Sequence, residues 1–500
     1  MSDRQTGPNF LVVLTDDQGP WALTETMPEL VTPTIDRLVE RSTTFDNFYC
    51  ASPVCSPARA SLLTGRMPSA HGVHDWIVGE RHPDSCEDDY LGGLTNLPET
   101  LSQAGYTCAM AGKWHVGTSR FPAPGFDFWY AHRIGGGPYY GAPIWDENGE
   151  KIDEPRYFTY AVAEEASRFI DDQGRKRRLA GQGSASQPDA CPDTPAPFYL
   201  QVNFTAPHDP WINNHPQDLW DLYEDCDFPS VPREEPHPWV APRRDDFAEA
   251  FANPEPHIRG YAAALSGVDR AVSMLLERLE SNGFADNTVI VYMADNGFSC
   301  GHHGIWGKGN GTYPLNFWEN SVRVPFIVSL PGQTDRRRVS DHVSATSFFE
   351  TVCELAGINP PEDPLRAGSS LVGLIDGSLP GDGSDSVVVY DEYGGGRMLR
   401  SGAWKFIDRY DGPRELYNLD RDPDERENLA GSNAYSRRER ELADELHEWF
   451  VAHETATERA YERQVHGRGQ IHPPRKALSD EHTYVQQPAT FDSTRATQAH

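Results

Sequence analysis

The sequence predicts an α/β protein with a large, mostly parallel sheet flanked by helices and a smaller α+β subdomain toward the C-terminus. Two short apolar runs, residues 9–15 and 287–294, are typical of strands buried on both faces. Between them, helix and strand patterns alternate. A chain of 500 residues also exceeds one typical core. We therefore expect a large domain over residues 1–375, a smaller one over 387–455, and a polar, partly disordered tail over 456–500.

The composition limits the kinds of partner. The chain has 75 acidic residues against 44 lysines and arginines, a formal net charge of −31, which argues against nucleic acid or an anionic membrane. We see no basic leader, apolar signal core or membrane-length run, and expect a cytoplasmic protein. The eight cysteines are too widely spaced for a zinc pattern and need not form disulfides. His302 and His303 make a weak zinc candidate, because neighbouring side chains diverge and no third soft ligand is near in sequence.

Acidic side chains follow both buried-type strands. The first strand leads directly into Asp16 and Asp17, and the second ends in Asp295 and Asn296. Open α/β sheets bind ligands at the carboxyl ends of their strands. Successive strand residues point to opposite faces, so Asp16 and Asp17 can converge only if Asp17 has already left the strand. Three carboxylates and an amide oxygen form a hard ligand set that suits Ca²⁺, and Mg²⁺ less well.

The stretch from Cys55 to Gly65 predicts a helix with a reactive side chain at its N-terminus. Pro57 can open a helix, Arg59 follows the thiol by four residues, and an Ala- and Leu-rich turn ends at the glycine. Unpaired N–H groups and the helix dipole attract anions to such an end. A tetrahedral oxyanion beside Cys55 would be stabilised by the backbone and by Arg59.

Basic side chains follow two further strands and lie in a glycine-rich loop. Lys113 and His115 are two residues apart and can share one face of an extended segment. His208 also follows a strand, and Lys308 lies among glycines that let side chains approach a small anion closely.

Periodicity predicts helices over residues 33–41, 97–104, 258–282 and 434–452 and strands over 106–111, 197–204, 324–330, 387–390 and 398–408.

Three stretches show no clear pattern. Residues 174–196 are rich in Gly, Ser, Pro and Arg and predict an exposed loop. Residues 212–257, rich in Pro, Trp, His and acids, fit either a lid or substrate wall or an ordered but inert excursion. Residues 376–386 predict the boundary of the smaller domain.

Several of these motifs resemble those of one family. Cys55-Ser56-Pro57-Ala58-Arg59 resembles the C-x-P-x-R signature of type I, formylglycine-dependent sulfatases, which belong to the alkaline-phosphatase-like superfamily. Gly112-Lys113-Trp114-His115 resembles their G-K-W-H motif, and residues 404–430 resemble their closing hairpin and loop. The resembling motifs occur in the family's order and imply an alkaline-phosphatase-like fold.

The resemblance also implies cofactors. Cys55 is expected to be oxidised to Cα-formylglycine by a maturase, with Ca²⁺, or less readily Mg²⁺, bound beside it. The implied metal ligands are Asp16, Asp17, Asp295 and Asn296, together with the nucleophile at position 55. The pair Asp295-Asn296 favours a sulfatase, because two-zinc phosphatases of the superfamily typically carry Asp-His there.

The implied mechanism begins with hydrated formylglycine, one oxygen of which attacks sulfur in line with the ester oxygen. Lys113, His208, Lys308 and the metal neutralise the sulfuryl oxygens and the leaving group. The second hydroxyl then expels sulfate with His115 as the base, while Arg59 orients the diol.

The expected substrate is a sulfated small molecule or saccharide. The glycines around Lys308 and the Trp-containing stretch 212–257 favour a carbohydrate sulfate by analogy. A homo-oligomer is compatible with the sequence. Two alternatives stay open: a phosphonate monoester hydrolase or phosphodiesterase of the same superfamily, and an unmodified, catalytically silent protein that binds sulfate esters.

Overall fold

The computed structural model describes residues 7–82, 88–184, 196–240, 247–379, 388–463, 465–477 and 482–486. The strands in these ranges are β1 (Asn9–Thr15), β2 (Thr43–Tyr49), β3 (Thr107–Lys113), β4 (Phe128–His132), β5 (Ala142–Trp145), β6 (Lys151–Glu154), β7 (Phe198–Asn203), β8 (Thr288–Ala294), β9 (Ser299–Cys300), β10 (Trp306–Gly307), β11 (Phe326–Ser329), β12 (Arg337–Ser344), β13 (Val388–Tyr390), β14 (Gly396–Ser401), β15 (Trp404–Arg409) and β16 (Glu415–Asn418).

The α-helices in the same ranges are α1 (Pro33–Val39), α2 (Cys55–Thr64), α3 (Pro68–His71), α4 (Leu97–Gln103), α5 (Phe158–Ser184), α6 (Gln217–Trp220), α7 (Ala248–Ala252), α8 (Pro254–Ser281), α9 (Glu319–Val322), α10 (Ser347–Leu355), α11 (Val372–Asp376) and α12 (Ser436–His453).

One large sheet organises the described part of the chain. Its ten strands lie in the order β12-β2-β11-β8-β1-β7-β3-β4-β5-β6. The central strands β8, β1, β7, β3 and β4 are parallel neighbours, whereas β11, β5 and β6 run antiparallel to the strands beside them. The prediction of a large, mostly parallel sheet is therefore confirmed.

The central strand β1 is buried along its whole length, because the sheet is covered on both faces. Phe10 and Val12 face one apolar layer, which includes residues of α2, α4 and α10. Leu11 and Val13 face the other, which includes residues of α1, α5 and α8. The alternation along β1 thus fixes which side chains face which layer, and the carboxyl end of the strand is left for polar residues.

The smaller C-terminal sheet is antiparallel, in the order β13-β14-β15-β16. Helix α12 packs on it through Leu442, Leu446 and Phe450, which contact Leu399 and Phe406. This arrangement confirms the predicted α+β subdomain. Most of the boundary predicted at residues 376–386 lies outside the described residues, and the division of the chain into domains stays a prediction.

Two local predictions are wrong. Helix α5 continues through residues 174–184, where a loop was expected; the rest of that stretch, 185–195, lies outside the described residues. The three arginines, the lysine and the alanine there are good helix formers, and Gly174 allows close approach to Asn282. The strand predicted over 398–408 is two strands, β14 and β15, because the chain turns at Gly402, which has a φ of 53°.

The segment predicted as a polar tail contacts the large domain where the structure describes it. Residues 465–477 lie beside residues 72–78 and 88–92, and the backbone N–H of Gln470 donates to the carbonyl of Trp76 at 2.7 Å. Among the helices of the described ranges, none combines the length and apolar character that crossing a bilayer requires.

Candidate active site

The predicted site residues meet at the carboxyl edge of the central sheet. Asp16 follows β1, Lys113 ends β3, and Asp295 follows β8, whose last residue pairs with the last residue of β1. His208 comes from the loop after β7, which lies between β1 and β3. Parallel strands end on the same edge, so side chains distant in sequence arrive at one place.

The predicted metal ligands Asp16, Asp17, Asp295 and Asn296 lie close together, and hydrogen bonds connect three of them directly. The backbone N–H of Asp17 donates to Asp295 Oδ1 at 3.3 Å, and Asn296 Nδ2 donates to Asp17 Oδ1 at 2.7 Å. Asp17 has a φ of 63°, so it has left the extended conformation of β1. That turn lets its carboxylate converge with Asp16, as the alternation of strand residues requires.

Cys55 is the first residue of helix α2 and is 3% exposed. Lys308 Nζ donates to its Sγ at 2.8 Å and also to Asp17 Oδ1. The helix ends at Gly65, whose φ of 69° is the left-handed conformation that glycine favours. Burial, with a contribution from Asp16, raises the pKa of the Cys55 thiol to about 12. The unmodified thiol is therefore protonated at neutral pH and a poor nucleophile.

Arg59 and Lys113 are buried and bonded to the acids. Arg59 Nε donates to Asp295 Oδ2 at 2.8 Å, and its Nη1 donates to the carbonyl of Lys113 at 2.9 Å. Lys113 Nζ donates to Asp16 Oδ2. Arg59 Nη2 is buried and has no hydrogen-bond partner in the described ranges. Cys55 is one turn before Arg59 on the same helix, so this face of α2 combines the thiol with a guanidinium.

His115 does not share the environment of Lys113. Its backbone has a φ of 57°, which turns the chain, and its Nε2 lies 3.0 Å from the carbonyl oxygen of Ile77. A carbonyl only accepts, so Nε2 carries the proton and Nδ1 has the lone pair. Nδ1 is buried without a partner among the described atoms. Burial and the charge of Lys113 hold the pKa of His115 well below its ordinary value, which keeps the ring neutral.

His208 lies on the more open side of the group. Its Nε2 is 3.8 Å from Asp17 Oδ2, and its Nδ1 donates to the carbonyl of Asp209 at 2.8 Å. Residues of the loop between β4 and β5 cover both histidines: a Cβ on Gly135 would lie 2.1 Å from the ring of His115, and one on Gly136 would lie 2.9 Å from that of His208.

The charges of the two buried acids respond differently to this surrounding. Burial would raise the pKa of Asp16, but Lys113, His208 and Lys308 outweigh it and lower that pKa. Burial and the charge of Asp16 raise the pKa of Asp295 to about 6. Asp16 is therefore more firmly ionised than Asp295, because cationic side chains surround it.

These residues have the donors that a hard divalent cation needs. Ligand atoms of Asp16, Cys55 and Asp295 lie within 4.8 Å of one another, and this is the one such group found among the described residues. Asp16 Oδ1 and Asn296 Oδ1 are buried and lack hydrogen-bond partners in the described part of the chain. Buried oxygen atoms without donors are costly unless a ligand or ion satisfies them. The site therefore fits an oxygen-coordinated cation.

The zinc candidate is not supported by the positions of its histidines. His302 lies against Trp21 with ring centres 4.6 Å apart, whereas His303 stacks on Trp318 at 4.5 Å. Each ring thus packs on a different tryptophan, and neighbouring side chains diverge as expected.

Sequence reasoning missed three residues that support the site. Asn203 Nδ2 donates to the carbonyl of Lys113 at 2.9 Å, and Tyr261 donates its hydroxyl to the carbonyl of Asp17 at 2.9 Å. Ile77 holds His115. Asn203 could have been noticed as a polar residue at a strand's end; Tyr261 and Ile77 look like ordinary core residues in the sequence.

Comparison with known families gives two matches. A family model described as sulfatase matches residues 8–358, and one described as N-sulphoglucosamine sulphohydrolase, C-terminal, matches residues 302–452. Together they cover both the large sheet and the smaller C-terminal sheet.

Curated proteins and solved structures resemble the chain over most of its length. A choline-sulfatase of Rhizobium meliloti is 28% identical over 469 residues, covering 85% of this chain and 82% of that protein. An N-acetylglucosamine-6-O-sulfatase of Bacteroides thetaiotaomicron is 26% identical over 517 residues, covering 88% and 86%. A protein solved in complex with its substrate D-glucosamine-2-N,6-O-disulfate superposes with a TM-score of 0.69 at 23% identity, covering 89% of this chain and 98% of that one.

Proposed function

The chain belongs to the sulfatase family of sulfuric ester hydrolases, and we propose that it cleaves the sulfate ester of a carbohydrate with a nucleophile derived from Cys55. One observation carries the assignment of the site: Lys308 Nζ contacts both Cys55 Sγ and Asp17 Oδ1, so position 55, a cation and an acidic cluster are adjacent. Arg59, Lys113 and Lys308 balance the three acids here, so a bound divalent cation would make the site positive toward a sulfate group despite the chain's net charge of −31.

The proposed reaction also needs a modified residue and a bound cation. Conversion of the Cys55 thiol to Cα-formylglycine would supply a hydrated aldehyde as the nucleophile, which the protonated thiol cannot supply. A divalent cation, Ca²⁺ or less readily Mg²⁺, would be held by Asp16, Asp17, Asp295 and Asn296 beside position 55 and would supply positive charge toward a sulfuryl oxygen.

The chain's own cations bind and neutralise the substrate. Lys113 and Lys308 come from two different sides of the acidic cluster, and His208 lies at its open edge. Their donors suit the oxygens of a tetrahedral sulfate group, whose negative charge shifts to the leaving oxygen as the S–O bond breaks. Arg59 is fixed by Asp295 and holds Nη2 on the face of α2 that carries position 55.

His115 is the proposed base. Its Nε2–H donates to the carbonyl of Ile77, so Nδ1 is the nitrogen that can take a proton. Because burial keeps the ring neutral, Nδ1 holds its lone pair at neutral pH. Water enters the overall reaction once, and the products are an alcohol and inorganic sulfate.

A carbohydrate substrate is supported by the names of two relatives. One is an N-acetylglucosamine-6-O-sulfatase, and another was solved with D-glucosamine-2-N,6-O-disulfate. The choline-sulfatase of similar identity is the competing indication. We propose a carbohydrate sulfate as the substrate, and choline sulfate is the compound to compare with it.

The experiment assays inorganic sulfate release from sulfated mono- and disaccharides, choline sulfate and an aryl sulfate, and phenol release from a bis-aryl phosphate. We expect the highest kcat/KM with a sulfated saccharide. A preference for choline sulfate would overturn the carbohydrate proposal, and a preference for the phosphate diester would favour the alternative phosphodiesterase activity.

The nucleophile is tested separately. Mass spectrometry of the peptide containing Cys55 from active enzyme should show the loss in mass that converts a thiol to an aldehyde. Cys55→Ala should abolish activity, whereas Cys353→Ala, which removes another buried thiol, should not. An unshifted Cys55 peptide in fully active enzyme would contradict the proposed nucleophile.

A further inference from the structure

The segment 465–470 lies beyond both family matches, which end at residues 358 and 452. It nevertheless pairs with the loop 72–78 of the large domain. Gln470 N–H donates to the carbonyl of Trp76 at 2.7 Å, and Val78 N–H donates to the carbonyl of Gln470 at 3.1 Å. Gln470 and Ile77 thus form a parallel bridge.

Two buried side chains close this pairing reciprocally. Gln470 Oε1 accepts from the backbone N–H groups of His74 and Asp75 at 2.8 and 3.3 Å, and its Nε2 donates to the carbonyl of Gly72 at 2.8 Å. In return, Asp75 Oδ2 accepts from the N–H of Gly469 at 3.0 Å. Gln470 is 0% exposed and Asp75 is 1% exposed, so water does not compete for these bonds. We call this set of contacts the Asp75–Gln470 latch.

The residue held by the latch connects directly to the proposed site. Ile77 N–H donates to Ser56 Oγ at 3.0 Å, beside Cys55 at the start of α2. The carbonyl of Ile77 accepts from His115 Nε2 at 3.0 Å. A single peptide segment therefore bridges the nucleophile's helix and the histidine, and both ends of that bridge are backbone groups whose position depends on the loop.

We propose that Gln470 is a positioning residue for the reaction: through the latch it fixes Ile77, which in turn sets the tautomer and orientation of His115. This inference rests on the proposed function, in which His115 Nδ1 takes a proton. The segment 465–470 would then be part of the catalytic unit, although it lies outside the matched family regions.

The chemical reason is that neutral imidazole has two tautomers. Only a fixed acceptor at Nε2 keeps Nδ1 free of its proton. If the loop 72–78 shifts, the Ile77 carbonyl moves away from Nε2 and the ring loses both its orientation and its tautomer preference. Small displacements of a catalytic group are costly, about a hundredfold in rate for about 1 Å.

The test is a double-mutant cycle measured as kcat and KM. Gln470→Met keeps the side-chain length and removes every hydrogen bond of the amide. We expect kcat to fall about ten- to a hundredfold, with KM within about twofold. In a His115→Ala background the same substitution should lower kcat by less than about twofold further, because there is no imidazole left to position.

The matched control is Gln333→Met. Gln333 also bonds to backbone and side-chain groups, at Leu330, Thr43 and Asp335, but it lies at the far end of β11 from the site. We expect its kcat to be unchanged. If the effects of Gln470→Met and His115→Ala simply multiply, or if Gln470→Met leaves kcat unchanged, the proposed positioning role is wrong.

Gln470→Met could also fail to fold, and Asp75→Asn is then the second variant. It removes one of two acceptor oxygens from the latch without changing its shape. A smaller fall in kcat, with the same constant KM and the same loss of effect in the His115→Ala background, supports the latch. Additive effects overturn it.

Failure of the proposed function is recognised separately, because wild-type enzyme would then release no sulfate from any ester. The latch is in that case read by hydrogen exchange. Peptides covering residues 72–78 and 113–117 should both exchange faster in Gln470→Met and not in Gln333→Met. Faster exchange confined to 72–78 would overturn the link to His115.

Discussion

Two buried lysines of this molecule are each held beside acids, and they differ in how completely their surroundings are satisfied. Lys308 at the site contacts Asp17 Oδ1 and Cys55 Sγ. Lys405, on β15 of the C-terminal sheet, contacts Glu319 Oε1 at 3.1 Å and Glu425 Oε1 at 2.6 Å. Both ammonium groups are enclosed by protein, so the two lysines differ neither in burial nor in the sign of the charges around them.

The neighbouring atoms do distinguish them. Around Lys405 each carboxylate oxygen faces a positive or polar group. Glu319 Oε1 accepts from Lys405, Glu319 Oε2 accepts from Tyr49 at 3.0 Å, and Glu425 Oε2 accepts from the N–H of Glu319 at 2.7 Å. Glu425 Oε1 has no hydrogen bond within the described ranges but forms an ion pair with Lys405 Nζ at 2.6 Å. Around Lys308, by contrast, polar atoms of Asp16 and Asn296 are buried without a partner within the described ranges. The network at Lys405 connects α9 with the C-terminal sheet, whereas the unpaired atoms near Lys308 are those that the proposed substrate and cation would satisfy.

The largest effect is expected from Lys308→Ala. It removes a cation from the place where the sulfate charge develops, and kcat/KM should fall about a thousandfold. The measurement is sulfate release under kcat/KM conditions. Lys176→Ala, at an exposed position of α5, is the control and should match wild type. A fall of less than tenfold would show that the open network does not bind the reacting group.

Lys405→Met should lower the stability of the protein and leave its activity nearly unchanged. Glu319 and Glu425 would be left buried without a cation, which costs about 3–5 kcal/mol of unfolding free energy. The kcat of the folded fraction should stay within about twofold. Urea unfolding, followed by a spectroscopic signal that does not depend on the active site, measures the unfolding free energy. Adding Glu319→Gln and Glu425→Gln should restore much of the stability, and no recovery would contradict the account.

Cation binding at the open network can be measured without catalysis. After chelation, added Ca²⁺ should raise the unfolding free energy of the wild type, by about 2.7 kcal/mol at a hundred times its dissociation constant. Asp16→Asn should show much less of this gain, because it removes a ligand charge. Asp286→Asn, an exposed acid before β8, should behave as wild type. Equal stabilisation of all three proteins would place the cation elsewhere.

The smallest effect concerns pH at the closed network. Burial and the charge of Glu319 raise the pKa of Glu425 to about 7. A folded-state pKa above the unfolded value gives a stability contribution that is present at low pH and lost as pH rises through about 7.

Relative to Glu425→Gln, the unfolding free energy of the wild type should therefore decrease between pH 5 and pH 8, by about 2–3 kcal/mol in total. Equilibrium urea unfolding at four pH values measures it. Parallel pH profiles for the two proteins would contradict the raised pKa.

Much of the sheet and the metal-type cluster could be predicted from sequence. The buried runs that end in Asp16 and Asp295 identify two strands and the edge at which their acids lie, because hydrophobic periodicity and strand-end position are local signals; the structure adds that the two strands are neighbours. The turn at Asp17 also followed from local geometry, and its φ of 63° agrees. The roles of the site residues themselves stay predictions.

Other features depend on tertiary contacts. The glycines among residues 174–184 led to the prediction of a loop, yet α5 continues through them, and Asn282 of the neighbouring helix end bonds to Asp171 of α5. Lys113 and His115 were expected to share a face, but the left-handed backbone of His115 sends its ring to Ile77. Gln470 gave no signal, since its partners lie far away in sequence and are mostly backbone groups.

The bond between the N–H of His74 and Gln470 joins residues 396 positions apart. A ribosome adds about 5–20 residues per second, so loop 72–78 is synthesised tens of seconds before the segment 465–470 exists. During translation the surroundings of Cys55 thus stay incomplete for most of the time the chain takes to emerge. If Cys55 is converted as proposed, this interval would give the modifying enzyme access to a thiol that the finished protein encloses.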